Sequence, residues 1–482
     1  MVATVVTIEP LSHLTIAPMN LKDSSHVHFT GIKGVGMTAV ALCAQDLGIT
    51  VTGSDLTEEF VTDPVLRKRH IHISADFDPA DIPDSTDLLV YTGAHQGVNN
   101  PQVQAAKQKG LVAISQAEAL AQLMAGKKGL SVCGVGGKST TSAMIATIFD
   151  SAGVNPSFAV GVGSINPLEV PGHYDTGGPH FIAEADEYAV APGFDNTPKF
   201  MLQHPEIIVA TNIVHDHPDI YPSINDTLKV YRDFFARASA NNTLIINADN
   251  QYTPQLTTDL SCHVITYSRD SSADYQIVDS TIQDHQQIFT THHRDSDFTI
   301  TLQIPGDYNA ENALAAYIAS LTCGLTPGQA KQGLLLFGGT KRRFEFIGTK
   351  KGVPYYDDYA HHPSELKAVL HAAKHWLPDK TIIAVFQPHT YSRTKALLAD
   401  FAESFKDAGE VIITPIFASA REESDPTISS EILASRIQQI SGNAVFMAGL
   451  DKVVQYLSHR AKYGDAVITI GAGDIYKLHQ QL

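Results

Sequence analysis

The feature that most constrains this fold is a glycine-rich turn between an apolar strand and a helix, and it occurs twice. The first turn lies in HVHFTGIKGVGM, which begins at His26, and the second lies in VCGVGGKSTTSAM, from Val132 to Met144. A strand that runs through such a turn into a helix is the start of a βαβ unit, in which the strands are parallel. The sequence therefore predicts an α/β protein built on parallel sheets.

The length and the spacing of the apolar strands indicate three domains. A chain of 482 residues is too long for one hydrophobic core. We predict a Rossmann-like domain over 1–127, a central phosphate-loop domain with a parallel sheet over 128–340, and a C-terminal Rossmann-like α/β domain over 341–482. Polar, alternating residues over about 261–304 predict an antiparallel excursion within the central domain.

Composition argues against several classes of protein. The formal net charge is −17, and no basic cluster is dense enough to follow a nucleic-acid backbone, so we expect no nucleic-acid partner. No apolar run reaches the roughly 18 residues that a membrane-spanning helix requires, so we expect no membrane insertion. The four cysteines show no C-x-x-C pair, which disfavours a zinc knuckle or a disulfide framework. A cytoplasmic monomer or homodimer is the expectation.

The turn at VCGVGGKSTTSAM has the residues of a phosphate-binding loop. Its glycines would let successive backbone N–H groups point at anionic oxygens, and the N-terminus of the following helix would add its positive end. Lys138 would neutralise the terminal phosphates, and the hydroxyl of Ser139 would bind Mg²⁺. The pattern departs from the common phosphate loop because Val132 stands where a glycine is usual. The alternative is a glycine turn without a ligand.

Acidic and histidine side chains follow two neighbouring apolar strands. HFIAEADE ends in Glu184, Asp186 and Glu187, and EIIVATNI leads to His215, Asp216 and His217. Parallel sheets place ligands and metals at the carboxyl ends of their strands. Solvated acids at strand ends are the alternative, but their position beside the Lys-Ser loop favours a metal-nucleotide site.

The first glycine turn is less specific. Its spacing from Gly31 to Gly36 is G-x-x-G-x-G, which differs from the dinucleotide pattern G-x-G-x-x-G. Asp55 ends the next strand, about 20 residues further on, where a carboxylate can accept a hydrogen bond from a ribose hydroxyl. A nicotinamide cofactor or a UDP-sugar would fit. A nicotinamide-dependent dehydrogenase, however, leaves the Lys-Ser loop unexplained.

Taken together, the motifs resemble the Mur ligase family over nearly the whole chain. The stretches that carry the resemblance are HFTGIKGVGM, GGKSTTSAM, EADE, TNIVHDHPDIY, GDYNAENALAA, GGTKRRFEFIG, YYDDYAHHPSELKAVL, FQPHTYSRT and AVITIGAGDIY. In that family the shorter phosphate loop is normal. The resemblance implies that ATP phosphorylates the lactyl carboxylate of UDP-N-acetylmuramate and that the amine of L-alanine attacks the acyl phosphate, with Mg²⁺ as cofactor.

The resemblance also implies roles for single residues. Lys138 would contact the γ-phosphate, and Ser139, Glu184 and His217 would bind the metal. The ATP site would use Gly134, Gly136, Gly137, Lys138, Ser139, Thr140, Asn309 at adenine, and Arg343 and Asp358 from the third domain. The UDP moiety would be held by Gly34, Val35, Gly36, Met37 and Asp55. His361, His362 and Arg393 would handle the incoming amino acid and the reacting centre.

Departures from the family pattern keep other functions open. Val135 and Gly136 stand where threonine and histidine are usual, Tyr308 replaces a histidine, and Thr390 replaces an arginine of the alanine-adding enzymes. A missing guanidinium removes a bidentate partner for an amino acid's carboxylate. Tyr188 favours the sibling that attaches an intact tripeptide in wall recycling. The altered loop leaves a catalytically silent nucleotide-sugar-binding relative as a further alternative.

Overall fold

Three sheets of mainly parallel strands, with helices packed on them, form the described part of the chain together with one small hairpin. The computed structural model describes residues 19–217, 219–418, 422 and 424–481. The predicted fold class, a three-domain α/β protein, is confirmed. None of the helices in the described part of the chain combines the length and apolar character needed to cross a bilayer. The predicted residue boundaries of the domains stay a prediction.

The N-terminal sheet has five parallel strands in the order β3-β2-β1-β4-β5. Its strands are β1 His26–Thr30, β2 Thr50–Asp55, β3 His72–Ala75, β4 Leu88–Tyr91 and β5 Val112–Ser115. Its helices are α1 Val35–Asp46, α2 Asp63–Lys68, α3 Pro101–Gln108 and α4 Gln116–Met124. The direction of winding reverses between β1 and β4, so the loops after these two strands border the crevice in which such sheets bind ligands.

The central sheet has ten strands in the order β17-β16-β15-β14-β13-β12-β6-β9-β7-β8. Its strands are β6 Lys128–Cys133, β7 Ser157–Ala159, β8 Gly172–His173, β9 His180–Glu184, β12 Ile207–Ala210, β13 Thr243–Asn247, β14 His263–Ser268, β15 Tyr275–Gln283, β16 Gln286–His293 and β17 Ser296–Leu302, with a separate hairpin of β10 Ala189–Ala191 and β11 Asp195–Pro198. The predicted antiparallel excursion is present as β15 to β17. It begins later than predicted, because β14 pairs parallel to β13.

Successive apolar side chains of the central strands point to opposite faces of the sheet, and helices cover both faces. The helices are α5 Lys138–Ser151, α6 Ile224–Phe235, α7 Thr253–Thr257, α8 Asp307–Thr322 and α9 Pro327–Leu336. In β12, Ile207 and Val209 pack in the core that contains α5, α8 and α9. Ile208 and Ala210 point to the opposite face and pack with α6. Helix α5, which carries the phosphate loop's lysine, is therefore sandwiched between the sheet and two other helices.

The C-terminal sheet has six strands in the order β18-β19-β23-β20-β21-β22, and all but the edge strand β18 are parallel. The strands are β18 Glu345–Lys350, β19 Val353–Asp358, β20 Thr381–Phe386, β21 Glu410–Ile413, β22 Ala444–Phe446 and β23 Asp465–Ile470. The helices are α10 Pro363–Trp376, α11 Tyr391–Ala396, α12 Leu398–Ala402, α13 Ser430–Ser441, α14 Leu450–Arg460 and α15 Leu478–Gln481. Helices α10, α12 and α13 cover one face, and α14 and α15 cover the other.

The first two domains share one hydrophobic core. Helix α1 packs against β7 and the edge strand β8 of the central sheet, and Ala159 and Phe181 of that sheet belong to the N-terminal core. A Cβ on Gly172 would lie 2.7 Å from the carbonyl carbon of Ala39, so the two backbones approach as closely as glycine allows. Asp46 of α1 also accepts a hydrogen bond from His173 Nδ1 at 2.6 Å.

We expect Gly172→Ala to destabilise the protein, because the added methyl group would push α1 away from β8. Overpacking of this kind costs about 1–3 kcal/mol. The melting temperature from differential scanning calorimetry measures the effect. Gly177→Ala is the matched control, since a Cβ there meets only a side-chain oxygen of Asp175 at 3.5 Å. Equal melting temperatures for the two variants would show that the interface yields without cost.

Candidate active site

The loop between β6 and α5 has a backbone that only glycine fits. Gly134 has φ +118° and Gly137 has φ +85°, both in the left-handed region. A Cβ on Gly137 would collide with the side chain of Asn312, and one on Gly134 would collide with Thr211. The loop is also fixed to the end of the neighbouring strand, because Asn212 accepts hydrogen bonds from Val135 N at 2.8 Å and Gly136 N at 2.6 Å.

Lys138 begins α5 and is held by groups on both sides of its ammonium. Its Nζ donates to the carbonyl oxygen of Gly134 at 2.5 Å and to Glu187 Oε2 at 3.1 Å. Burial alone would lower the pKa of this lysine, but Glu187, Asp186 and Glu184 outweigh burial and raise it above its ordinary value. The side chain is therefore a permanent cation at the mouth of the loop.

The three acids at the end of β9 and just after it have three different environments. Glu184 accepts a hydrogen bond from Gly161 N at 2.6 Å, and burial raises the pKa of its carboxyl. Asp186 is paired with Lys199 at 2.7 Å, and this cation with Lys138 lowers the pKa of Asp186 despite burial. Glu187 is 1% exposed and takes the ammonium of Lys138. Glu187, just after strand β9, is therefore the acid that binds the ammonium of Lys138.

A group able to hold a metal lies beside this lysine. Ligand atoms of Glu187, Asp216 and His217 all lie within 4.8 Å of one another. His217 Nε2 is 3.8 Å from Glu187 Oε1 and 3.7 Å from Asp216 Oδ2. The predicted metal ligand His217 is part of this group, whereas the predicted ligands Ser139 and Glu184 line a neighbouring cavity. Carboxylate oxygens are the ligands that Mg²⁺ prefers, so the group's donors fit that ion.

Two cavities meet at the loop. The first has a volume of about 220 Å³ and lies between the central and C-terminal domains. The second, of about 510 Å³, lies between the N-terminal and central domains. Gly137, Ser139 and Arg343 line both cavities. A group bound in one cavity can therefore reach a group bound in the other beside Lys138, which lines the second.

The first cavity collects most of the residues predicted to bind ATP. Those on its wall are Gly136, Gly137, Ser139, Thr140, Asn309, Arg343 and Asp358. Of the two remaining residues, Gly134 lies in the same loop and Lys138 lines the second cavity. Asp358 is 2% exposed and accepts hydrogen bonds from Phe344 N and Ala360 N, each at 2.7 Å. Burial raises the pKa of this carboxyl to about 6, although Arg343 opposes the shift.

The second cavity contains the first glycine turn. Gly34, Val35, Gly36 and Met37 line it, at the N-terminus of α1. Asp55, which was predicted to hold the UDP moiety, lies outside this cavity. Its carboxylate accepts from Lys33 N at 2.7 Å and from Leu56 N at 2.8 Å, and it is not among the residues on the wall of either cavity. In the structure, Asp55 holds the glycine turn in place.

The C-terminal residues predicted to handle the amino acid divide into two groups. His361 and His389 have rings 6.1 Å apart, and Arg393 Nη1 is 3.5 Å from His389 Nδ1. Burial lowers the pKa of His361, and burial with the neighbouring His361 and Arg393 lowers the pKa of His389 to about 4. His362 instead caps α10. None of these side chains lines either cavity as the described residues define them.

Thr390 occupies a backbone conformation that β-branched residues rarely adopt. Its φ is +68°, and its hydroxyl accepts a hydrogen bond from Arg393 N as the N-cap of α11. The hydroxyl therefore positions the helix that carries Arg393. It does not replace the missing guanidinium.

Several residues of the site were not among the predicted ones. Asn212 and Asn312 lie against the loop, and Glu311 and Asn247 lie on the wall of the first cavity. Glu187 was expected among the acids near the loop, but its pairing with Lys138 was not. The sequence held one signal that could have found two of these residues. Glu311 and Asn312 follow Tyr308 by three and four positions, so in a helix all three lie on one face. For the others, sequence identified the strand end but not the direction of the side chain.

The chain is similar to known proteins over nearly its whole length. Family models match in three consecutive stretches: the Mur ligase family catalytic domain at 26–128, the Mur ligase middle domain at 132–320, and the Mur ligase glutamate ligase domain at 342–473. The UDP-N-acetylmuramate–L-alanine ligase of Desulfitobacterium hafniense is 36% identical over 95% of this chain and 99% of its own. The corresponding enzyme of Caldanaerobacter subterraneus is 35% identical over 96% of this chain and 98% of its own.

Solved structures agree on the fold. The UDP-N-acetylmuramate-alanine ligase of Thermotoga maritima superposes with a TM-score of 0.79 at 24% identity, covering 95% of this chain and 97% of its own. A murein peptide ligase of Psychrobacter arcticus superposes with a TM-score of 0.69 at 23% identity, covering 95% and 98%. The three-domain arrangement is shared by enzymes with different acceptors.

Glu311 gives the first cavity a pH-dependent contribution to stability. Burial, with repulsion from Asp249, raises the pKa of its carboxyl from 4.5 to about 7. The folded protein therefore keeps a proton that the unfolded chain releases, and this contribution is lost as the pH rises from about 4.5 through about 7. The full effect is on the order of 3 kcal/mol.

We expect Glu311→Gln to remove this dependence, because glutamine does not titrate. Melting temperatures should show the variant gaining several degrees relative to wild type between pH 5 and pH 8. Asp307→Asn, which changes an exposed carboxyl at the start of the same helix, is the control and should shift little between the two pH values. A constant difference between Glu311→Gln and wild type would contradict the raised pKa.

Proposed function

Because the chain belongs to the Mur ligase family of ATP-dependent amide ligases, which build peptidoglycan precursors, we propose that it joins L-alanine to UDP-N-acetylmuramate. One observation carries the proposal: the phosphate loop separates two cavities whose walls share Gly137, Ser139 and Arg343. A phosphoryl donor and a phosphoryl acceptor need separate pockets that meet at one point. A cytoplasmic location belongs to the same proposal, because ATP and UDP-sugars are cytoplasmic metabolites.

In this proposal ATP occupies the first cavity. The N–H groups of the loop and the N-terminus of α5 face its phosphates, and Lys138 and Arg343 neutralise negative charge as the γ-phosphoryl group moves. Both cations are available at neutral pH, because the carboxylates beside Lys138 raise the pKa of its ammonium and a guanidinium stays charged. The lactyl carboxylate of UDP-N-acetylmuramate, held in the second cavity, attacks the γ-phosphorus and releases ADP.

The acyl phosphate formed in this way makes amide formation possible. An amine cannot displace oxide from a carboxylate, but it can displace phosphate from an acyl phosphate. The amine of L-alanine adds to the carbonyl carbon, and the tetrahedral intermediate then expels phosphate and loses a proton. The protein contributes mainly position and charge, as in other phosphoryl transfers.

Mg²⁺ would be held by Glu187, Asp216 and His217 on the loop side of the site, with the hydroxyl of Ser139 on the phosphate side. Such an ion supplies charge neutralisation to the phosphates when bound. Glu187 would then serve two partners, because it already pairs with Lys138 at 3.1 Å.

The recycling ligase is the second candidate. Tyr188 favours it, because this tyrosine follows EADE where the alanine-adding enzymes usually carry a serine. Thr390 adds to this, because no guanidinium stands there to hold the carboxylate of a free amino acid. The silent binder is disfavoured by the intact pair of Lys138 and Glu187.

Phosphate release from MgATP with UDP-N-acetylmuramate tests the function. Separate reactions contain L-alanine, glycine, L-serine or L-alanyl-γ-D-glutamyl-diaminopimelate. We expect release with L-alanine, and a loss of at least a hundredfold in Lys138→Ala, because transition-state charge on the phosphoryl group is left without its cation. Release with the tripeptide alone would identify the recycling ligase, and nucleotide binding without release would identify the silent binder.

We expect Glu187→Gln to weaken the use of Mg²⁺. The substitution removes one anionic ligand and leaves Lys138 without its carboxylate partner. The Mg²⁺ concentration for half-maximal phosphate release should rise about tenfold or more, as expected when a ligand is lost. Asp195→Asn, in the exposed part of the β10–β11 hairpin, is the control and should match wild type. An unchanged Mg²⁺ requirement in Glu187→Gln would remove Glu187 from the metal site.

A further inference from the structure

The first cavity has a polar group at the end opposite the phosphate loop. The cavity crosses the carboxyl ends of β6, β12, β13 and β14, which are consecutive in the sheet. Three strand spacings of about 4.8 Å each separate its two ends by about 14 Å. The loop after β6 takes phosphates, so the nucleobase of a nucleoside triphosphate would lie toward β13 and β14. Glu311, Asn247 and Tyr267 line that end.

At this end of the cavity, Glu311 keeps a whole acceptor oxygen free of hydrogen bonds from the described part of the chain. Asn309 uses its amide on Pro305 O at 2.6 Å, and its side-chain oxygen accepts from Asn312 at 3.4 Å. Tyr267 donates its hydroxyl to Ala210 O at 3.3 Å. Glu311 accepts one hydrogen bond, from Asn247 Nδ2 to Oε2 at 3.0 Å. Its second oxygen, Oε1, has no such bond from the described part of the chain.

The orientation of Glu311 is fixed from behind. Asn247 accepts a hydrogen bond from Asp249 N at 2.8 Å through Oδ1, so its amide presents Nδ2 to Glu311. Oε2 is thereby the oxygen that faces Asn247, and Oε1 is the one left for a ligand. That oxygen accepts a hydrogen bond whether the carboxyl is ionised or protonated at its other oxygen.

From this geometry we propose that Glu311 accepts a hydrogen bond from the 6-amino group of adenine and sets the preference of this enzyme for adenine nucleotides. The inference rests on the proposed function, because it takes ATP as the occupant of the first cavity. A 6-oxo base presents an oxygen to Oε1 in place of an N–H donor, which an acceptor at that point rejects. A purine with only hydrogen at position 6 lacks the hydrogen bond to Oε1 but brings no repulsive oxygen.

Equilibrium binding to the full chain tests the proposal with three nucleotides that differ at one position. ATP carries a 6-amino group, purine riboside triphosphate carries hydrogen, and inosine triphosphate carries oxygen. Isothermal titration calorimetry with Mg²⁺, and without the sugar nucleotide, avoids turnover. Wild type should bind ATP about tenfold more tightly than purine riboside triphosphate, as one such hydrogen bond predicts, and should bind inosine triphosphate most weakly.

Two substitutions give different expected results. In Glu311→Leu the preference for ATP over purine riboside triphosphate should disappear. In Glu311→Gln the carbonyl oxygen satisfies Asn247 and the amide nitrogen takes the place of Oε1. That nitrogen is a donor, so the ratio of affinities should move at least tenfold toward inosine triphosphate. Asp307→Asn lies one turn earlier on α8, outside the cavity wall, and should keep the wild-type order.

Identical nucleotide preferences in wild type, Glu311→Leu and Glu311→Gln would overturn the proposal while leaving nucleotide binding intact. Failure of wild type to bind any of the three nucleotides would overturn it together with the proposed function. The two results are distinguished by the wild-type titration with ATP alone.

Discussion

The two left-handed glycines between β6 and α5 fix the position of the loop lysine and of the wall between the two cavities. Gly134 and Gly137 bring the loop against Thr211 and Asn312 with no room for a Cβ. That closeness places the ammonium of Lys138 against Glu187 at the end of another strand. A side chain at either glycine would lift the loop from the sheet, and the lysine, the acid and the wall between the cavities would separate.

Sequence predicts this part of the molecule well because its constraints are local. A strand, a glycine turn and a helix follow one another along the chain, and the carboxyl ends of parallel strands meet at one edge of the sheet. The order of motifs identified the family and the α/β fold. The roles of the single residues stay predictions, although seven of the nine residues predicted to bind ATP lie on one wall.

What sequence missed depends on which way a side chain turns. Three acids lie within four positions at the end of β9 and just after it, and the pattern alone does not show that Glu187 pairs with Lys138 while Asp186 pairs with Lys199. Two histidines stand together before α10, and His362 caps the helix because it is the residue just before its first turn. The orientation of Glu311 on the wall of the first cavity depends on a contact with Asn247, 64 positions away in the chain.

The three domains are joined in two different ways. The second cavity lies between two domains that share a core, so its walls are held by packing of α1 against β7 and β8. The C-terminal domain reaches the first cavity through a short connection in which Arg342 and Phe344 have positive φ. Its bonds to the N-terminal domain are polar, such as Tyr476 Oη to Glu59 O at 2.9 Å. Polar contacts can exchange with water at little cost, whereas a shared core cannot open without exposing apolar surface. The wall of the second cavity that the first two domains build is therefore a fixed part of the fold. Arg343 and Asp358, by contrast, lie on the C-terminal domain, whose contacts with the N-terminal domain are the easier ones to break.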